Sequence, residues 1–70
     1  MRTDYRINEN VSRIIQENDK RPGKVADKAG IRRDVFSRIL HSKRPIYADE
    51  LIPITRALGV SLEEVIAGII

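Results

Sequence analysis

Apolar positions recur along this chain at the spacing of helices and nowhere at the sustained spacing of strands. Ile7, Val11, Ile14 and Ile15 form one stripe, so the pattern predicts an amphipathic helix over about residues 7–18, with its Asn, Glu, Ser and Arg side chains outward. Asn18-Asp19-Lys20-Arg21 is polar and turn-like. Pro22 suits the first turn of a second, short helix, where its missing N–H costs nothing. Val25, Ala26 and Ala29 face inward there, and Gly30 follows the last apolar position, as a left-handed C-terminal residue should. A third helix is expected from about Arg33 to Leu40, with Phe36 and Ile39 inward, and Pro45 marks the loop after it.

A fourth helix is expected over Ala48 to Leu58, carried by Leu51, Ile54 and Leu58, with a distortion at Pro53 and an end at Gly59. Ser61-Leu62-Glu63-Glu64 has the form of a reciprocal capping box. The fifth helix it opens would turn Leu62, Val65, Ile66 and Ile69 inward. The architecture implied is all-α: five short helices in a single domain spanning 1–70.

Length and composition narrow the function. At 70 residues there is room for one small core, which excludes an enzyme with separate cofactor and substrate domains. Cysteine is absent, so neither a disulfide framework nor a thiolate zinc site is possible. No apolar run approaches 18 residues and the N-terminus shows no leader pattern, so a cytoplasmic protein without a membrane span is expected.

Charge changes the picture more. Residues 20–44 hold nine Lys and Arg against two Asp, a net +7, and the rest holds four against eight, a net −4. A basic middle between acidic ends is a one-sided potential suited to a polyanion, although a solvated basic face is the plainer reading. Tyr5, Phe36 and Tyr47 are the only aromatics, too few for the stacking platforms of single-strand binders, so duplex DNA is favoured over RNA loops.

The same region carries a geometric pattern. Two helices that cross tightly need a small residue at the contact, and Ala26 supplies it. The short turn between them needs a backbone position with φ > 0, and Gly30 supplies that. Val25, Ala29, Ile31, Phe36 and Ile39 then fill the wedge. A bare helical hairpin in a bundle could show part of this pattern.

On these residues the chain resembles the helix-turn-helix domains of the phage repressor and Cro group, the XRE-like regulators. The likeness is carried by Val25-Ala26-Asp27-Lys28-Ala29-Gly30-Ile31, by Phe36-Ser37-Arg38-Ile39, and by the run from Arg56 to Ile66. It covers roughly residues 7–67, with the motif at about 22–41. What it implies is a lambda-repressor-like bundle that places the 33–40 helix in the major groove. Carried over by position, Arg32, Arg33, Asp34, Ser37 and Arg38 would meet base edges, and Lys20, Arg21, Lys24, Lys43 and Arg44 would meet phosphates. Asp34 could instead orient a neighbouring Arg or favour the helix dipole. The chain departs from the pattern at four positions: Pro22 stands in place of a phosphate-clamping Gln, Arg21 and Arg32 in place of Ser or Thr caps, and Ser42 in place of a Gly.

Asp34, Ser37 and His41 share one helical face, but with no oxyanion hole or nucleophile elbow in sight catalysis is not expected. One His without Cys is too few ligands for a metal, and no cofactor is implied. The apolar end of the chain suggests a two-fold dimer contact through Val65, Ile66, Ile69 and Ile70, and with it a homodimer on a palindromic operator. The alternative is a protein-interaction module on the same fold, such as an antitoxin or an anti-regulator.

Overall fold

The computed structural model describes residues 5–69 and is all-α. Five helices follow one another: α1 (Arg6–Glu17), α2 (Pro22–Ala29), α3 (Arg33–Leu40), α4 (Ala48–Leu58) and α5 (Leu62–Val65). α3 and α4 have the bounds expected from the pattern, and α1 starts and ends one residue early. Among the described residues no helix is long and apolar enough to cross a membrane.

The core is built from Val11, Ile14 and Ile15 of α1, Val25 and Ala26 of α2, Phe36 and Ile39 of α3, Ile54 and Leu58 of α4, and Val65 of α5. α2 packs most extensively on α4 and next on α3, so α2 is the central element. Ala26 is fully enclosed, as the close crossing requires, and Ala29 and Ile31 are half-buried against the core.

Helix ends explain the short lengths. Gly30 takes φ 73, the Gly30 N–H reaches the Asp27 carbonyl and the Ile31 N–H reaches the Ala26 carbonyl. These two bonds complete a Schellman stop. The same pair of bonds ends α1 through Asp19 (φ 51) and α3 through Ser42 (φ 56), neither of them glycine. Ser42 thus holds the left-handed conformation that a Gly would have adopted without strain.

Two expectations need correction. First, Asn8 and Asn10 are not on the outer face of α1. Asn8 is 1% exposed, and its amide donates to the carbonyls of Ile39 (2.9 Å) and Arg44 (2.8 Å). Asn10 donates to the carbonyls of Val65 (2.8 Å) and Ala67 (2.9 Å). Each amide thereby ties α1 to backbone carbonyls at the end of a helix and just beyond it. Second, α5 is one turn only. Asn10 occupies the carbonyls that a longer helix would use, and Gly68 is left-handed at φ 83. Leu62, expected inward, is an exposed apolar side chain. α4 runs through Pro53 as one helix with the bounds expected from the pattern. Thr55 inside it sends its hydroxyl to the Leu51 carbonyl (2.7 Å). At the start of α5 the Ser61 hydroxyl accepts from the Glu64 N–H (3.3 Å), which is one half of the expected box.

Candidate nucleic-acid interface

The outer face of α3 follows from its inner one. Phe36 and Ile39 are enclosed, and at 100° per residue this turns Arg33, Asp34, Ser37, Arg38 and His41 outward, where all five are exposed. His41 lies at the end of this face, its Nδ1 2.8 Å from the Ser37 carbonyl. Because a carbonyl only accepts, Nδ1 donates. The ring thereby binds the end of α3, and the Ser37 hydroxyl is left out of the contact.

The basic middle divides into cations already paired and cations without a partner. Arg32 sits against Asp34, with Nε 3.2 Å and Nη2 3.3 Å from its two carboxylate oxygens. Arg33 reaches across to Asp27 of α2, with Nη2 at 2.7 Å and Nε at 3.2 Å. The hydrogen bond from Arg33, aided by its charge, holds the Asp27 carboxyl below its ordinary value, and Asp27 raises Arg33 in return. Both groups are well exposed, so water screens the pair and its contribution to stability is small.

Arg44, expected beside Lys43 at phosphate, is placed otherwise. Its Nη1 and Nη2 meet the Glu50 carboxylate at 2.9 and 2.7 Å, and Nη1 also donates to the Pro45 carbonyl at 3.0 Å. Its guanidinium lies 4.3 Å from the Tyr47 ring centroid. Only 21% of the Arg44 side chain and 16% of the Glu50 side chain remain exposed. Arg44 therefore fastens the α3–α4 connection to the start of α4 and has little reach toward a ligand. Glu50 also accepts the Tyr47 N–H (2.9 Å), capping α4.

The Arg44 hydrogen bond holds the Glu50 carboxyl below its ordinary 4.5; burial opposes this, and the Tyr47 N–H assists it. A carboxyl depressed in the folded state adds stability that is complete above 4.5 and is lost as pH falls through the lowered value. The urea midpoint should accordingly hold from pH 7 to 5 and fall below pH ~4.5. Glu50→Gln should cost about 1.5–3 kcal/mol at pH 7 and flatten that acid decline. A Glu50→Gln variant with the wild-type pH profile would exclude this pair as a source of acid lability.

The side chains of Lys20, Arg21, Lys24, Lys28, Arg38 and Lys43 make no hydrogen bond or ion pair among the described residues. Four of them, Lys20, Arg21, Lys24 and Lys28, ring a hollow of about 120 Å³ with Val25 and Ala57 in its walls. Lys24 and Lys28 are one turn apart on α2, about 100° round from the Gly23 and Asp27 face that carries Arg33. Lys28 had no assigned role at the sequence level, although the spacing of Lys24 and Lys28 was there to show that they share a face. The arrangement can hold anionic groups at the α2 flank while α3 presents Arg33, Ser37 and Arg38.

The apolar end is not the uniform contact surface expected. Val65 is fully enclosed in the monomer, so it has no surface to offer a second copy. Ile66 and Ile69 are half-buried, and Ile70 lies outside the described residues. Compared with protein-family models, with curated proteins and with solved structures, the chain finds no match.

Proposed function

We propose that the chain is a sequence-specific duplex-DNA-binding transcriptional regulator of the phage or prophage repressor kind, with α3 docked in the major groove. The observation that carries this reading is the pairing of an outward α3 face with six basic side chains that have no partner among the described residues. Arg33, Ser37 and Arg38 are the base readers, with Arg32 and Asp34 beside them as a mutually held pair. Lys20, Arg21, Lys24 and Lys28 meet phosphate on one side of the groove, and Lys43 meets it beyond α3. Phosphate contacts set position and affinity, and base contacts set sequence. Two copies on a palindromic operator would set their α3 helices ~34–36 Å apart, with Ile66 and Ile69 as the parts of the tail available to a dimer contact. A nucleoid-associated, cytoplasmic location goes with this role.

Selecting bound duplexes from a random pool tests the proposal, because it reports the half-site and its symmetry together. Arg38→Ala should relax the selected sequence at one position, a loss of about 1–3 kcal/mol in discrimination. Lys43→Ala should weaken selected and random duplexes alike. Identical effects of both variants on both kinds of DNA would remove these assignments. Failure to enrich any duplex, together with capture of a defined heterologous protein, would favour the antitoxin or anti-regulator reading instead.

A further inference from the structure

We propose that Asp27 and Gly23 hold Arg33 as a preset reader of guanine, making both of them positioning residues for the first base contact of α3. The inference rests on the duplex-binding reading above and goes beyond it by naming the base read and the residues that decide it. A guanidinium has two hydrogen-bonding forks. One is formed by Nε with Nη2, the other by Nη1 with Nη2. Asp27 occupies the first, at 3.2 and 2.7 Å. The second fork, with its two parallel N–H groups, makes no bond among the described residues, and the Arg33 side chain is 67% exposed.

Guanine alone among the bases presents two adjacent acceptors, O6 and N7, on its major-groove edge. Adenine offers an acceptor beside a donor, and cytosine offers a donor. The fork that Asp27 leaves open therefore fits guanine and mismatches its competitors. The carboxylate also fixes the side chain in advance, so less rotamer freedom is lost on docking.

Gly23 completes the device. It lies one helical turn before Asp27 on the same face of α2. A Cβ placed there would come within 3.1 Å of Arg33 Cζ and Nη1 and 3.2 Å of Nε. The guanidinium thus lies against the first turn of α2, so close that a side chain at position 23 would push it aside by a few tenths of an ångström. Neither Asp27 nor Gly23 would touch DNA in this scheme. They act through Arg33.

The test compares wild type with Arg33→Ala, Asp27→Ala, Asp27→Asn and Gly23→Ala. Each is titrated against the duplex selected by wild type, against that duplex with every base pair exchanged in turn, and against random duplex. Melting temperature is recorded alongside. Wild type should lose about 5- to 140-fold in affinity when one guanine is exchanged, and Arg33→Ala should lose that discrimination. Asp27→Ala should lose most of it while binding random duplex more tightly, because an acidic group has left the basic face. Asp27→Asn keeps one acceptor and should fall between. Gly23→Ala should lose discrimination while its melting temperature holds or rises, since Ala is the better helix former. Damage to the fold would lower binding and melting temperature together, so these opposed signs separate positioning from structure. If wild type reads a guanine and Asp27→Ala and Gly23→Ala read it as sharply, or Arg33→Ala does, the inference is overturned and the regulator reading stands. If wild type binds no duplex, both fall.

Discussion

Asn8→Ala is expected to remove a large share of the molecule's stability. The amide holds the carbonyls of Ile39, near the end of α3, and of Arg44, in the connection beyond it. Alanine leaves the part-buried Arg44 carbonyl without a donor and the Ile39 carbonyl with the Ser42 N–H alone, so a loss of about 1–3 kcal/mol is expected. A domain of this size has about 4–10 kcal/mol in total. Urea unfolding followed by circular dichroism should show the midpoint fall accordingly. Asn8→Asp should be at least as harmful at neutral pH, because it faces two carbonyl oxygens with a carboxylate, and it should recover in part where that group takes up a proton. A small effect from Asn8→Ala would mean that α3 is held by its apolar side chains alone.

Affinity for duplex should fall steeply as salt rises. Lys20, Arg21, Lys24 and Lys28 around the α2 hollow, with Lys43 beyond α3, give five candidate phosphate contacts per chain. Each neutralised phosphate releases counterions, so log K should fall against log salt with a slope of about −4.5 per bound chain. Between 50 and 200 mM salt that is a loss of about 500-fold for a single copy, and about its square for two copies bound together. Lys28→Ala should make the slope shallower by about 0.9, and Arg44→Ala should leave it unchanged because Glu50 already holds that charge. Fluorescence anisotropy across a salt series reads all three. An Arg44→Ala slope as shallow as that of Lys28→Ala would return Arg44 to the phosphate contacts.

Much of the helical plan was legible because apolar spacing and glycine punctuation agree. Gly30 and Gly59 mark their helix ends openly, whereas Asp19 and Ser42 perform the same turn without glycine and give only a weak signal. The buried asparagines were hidden for a different reason. Polarity placed Asn8 and Asn10 outside, yet Asn8 stands three before Val11 and seven before Ile15, on the apolar stripe itself. Tertiary partners 31 and 36 residues away decide that placement, and no local pattern contains them. Which cations are paired was illegible likewise. Asp27 and Glu50 each stand six residues from the arginine they bind, a distance set by the turn between two helices and not by any helical period.

α3 is moored at its C-terminal end and along its inner face. Asn8 grips its penultimate residue from α1, and Phe36 and Ile39 bury its inner face in the core along its length. Whatever meets this rod encounters a template whose tilt and height are already set. The adjustment on docking therefore falls to the visitor, and wherever docking bends it, a pliable visitor is held more tightly than a stiff one of identical chemistry.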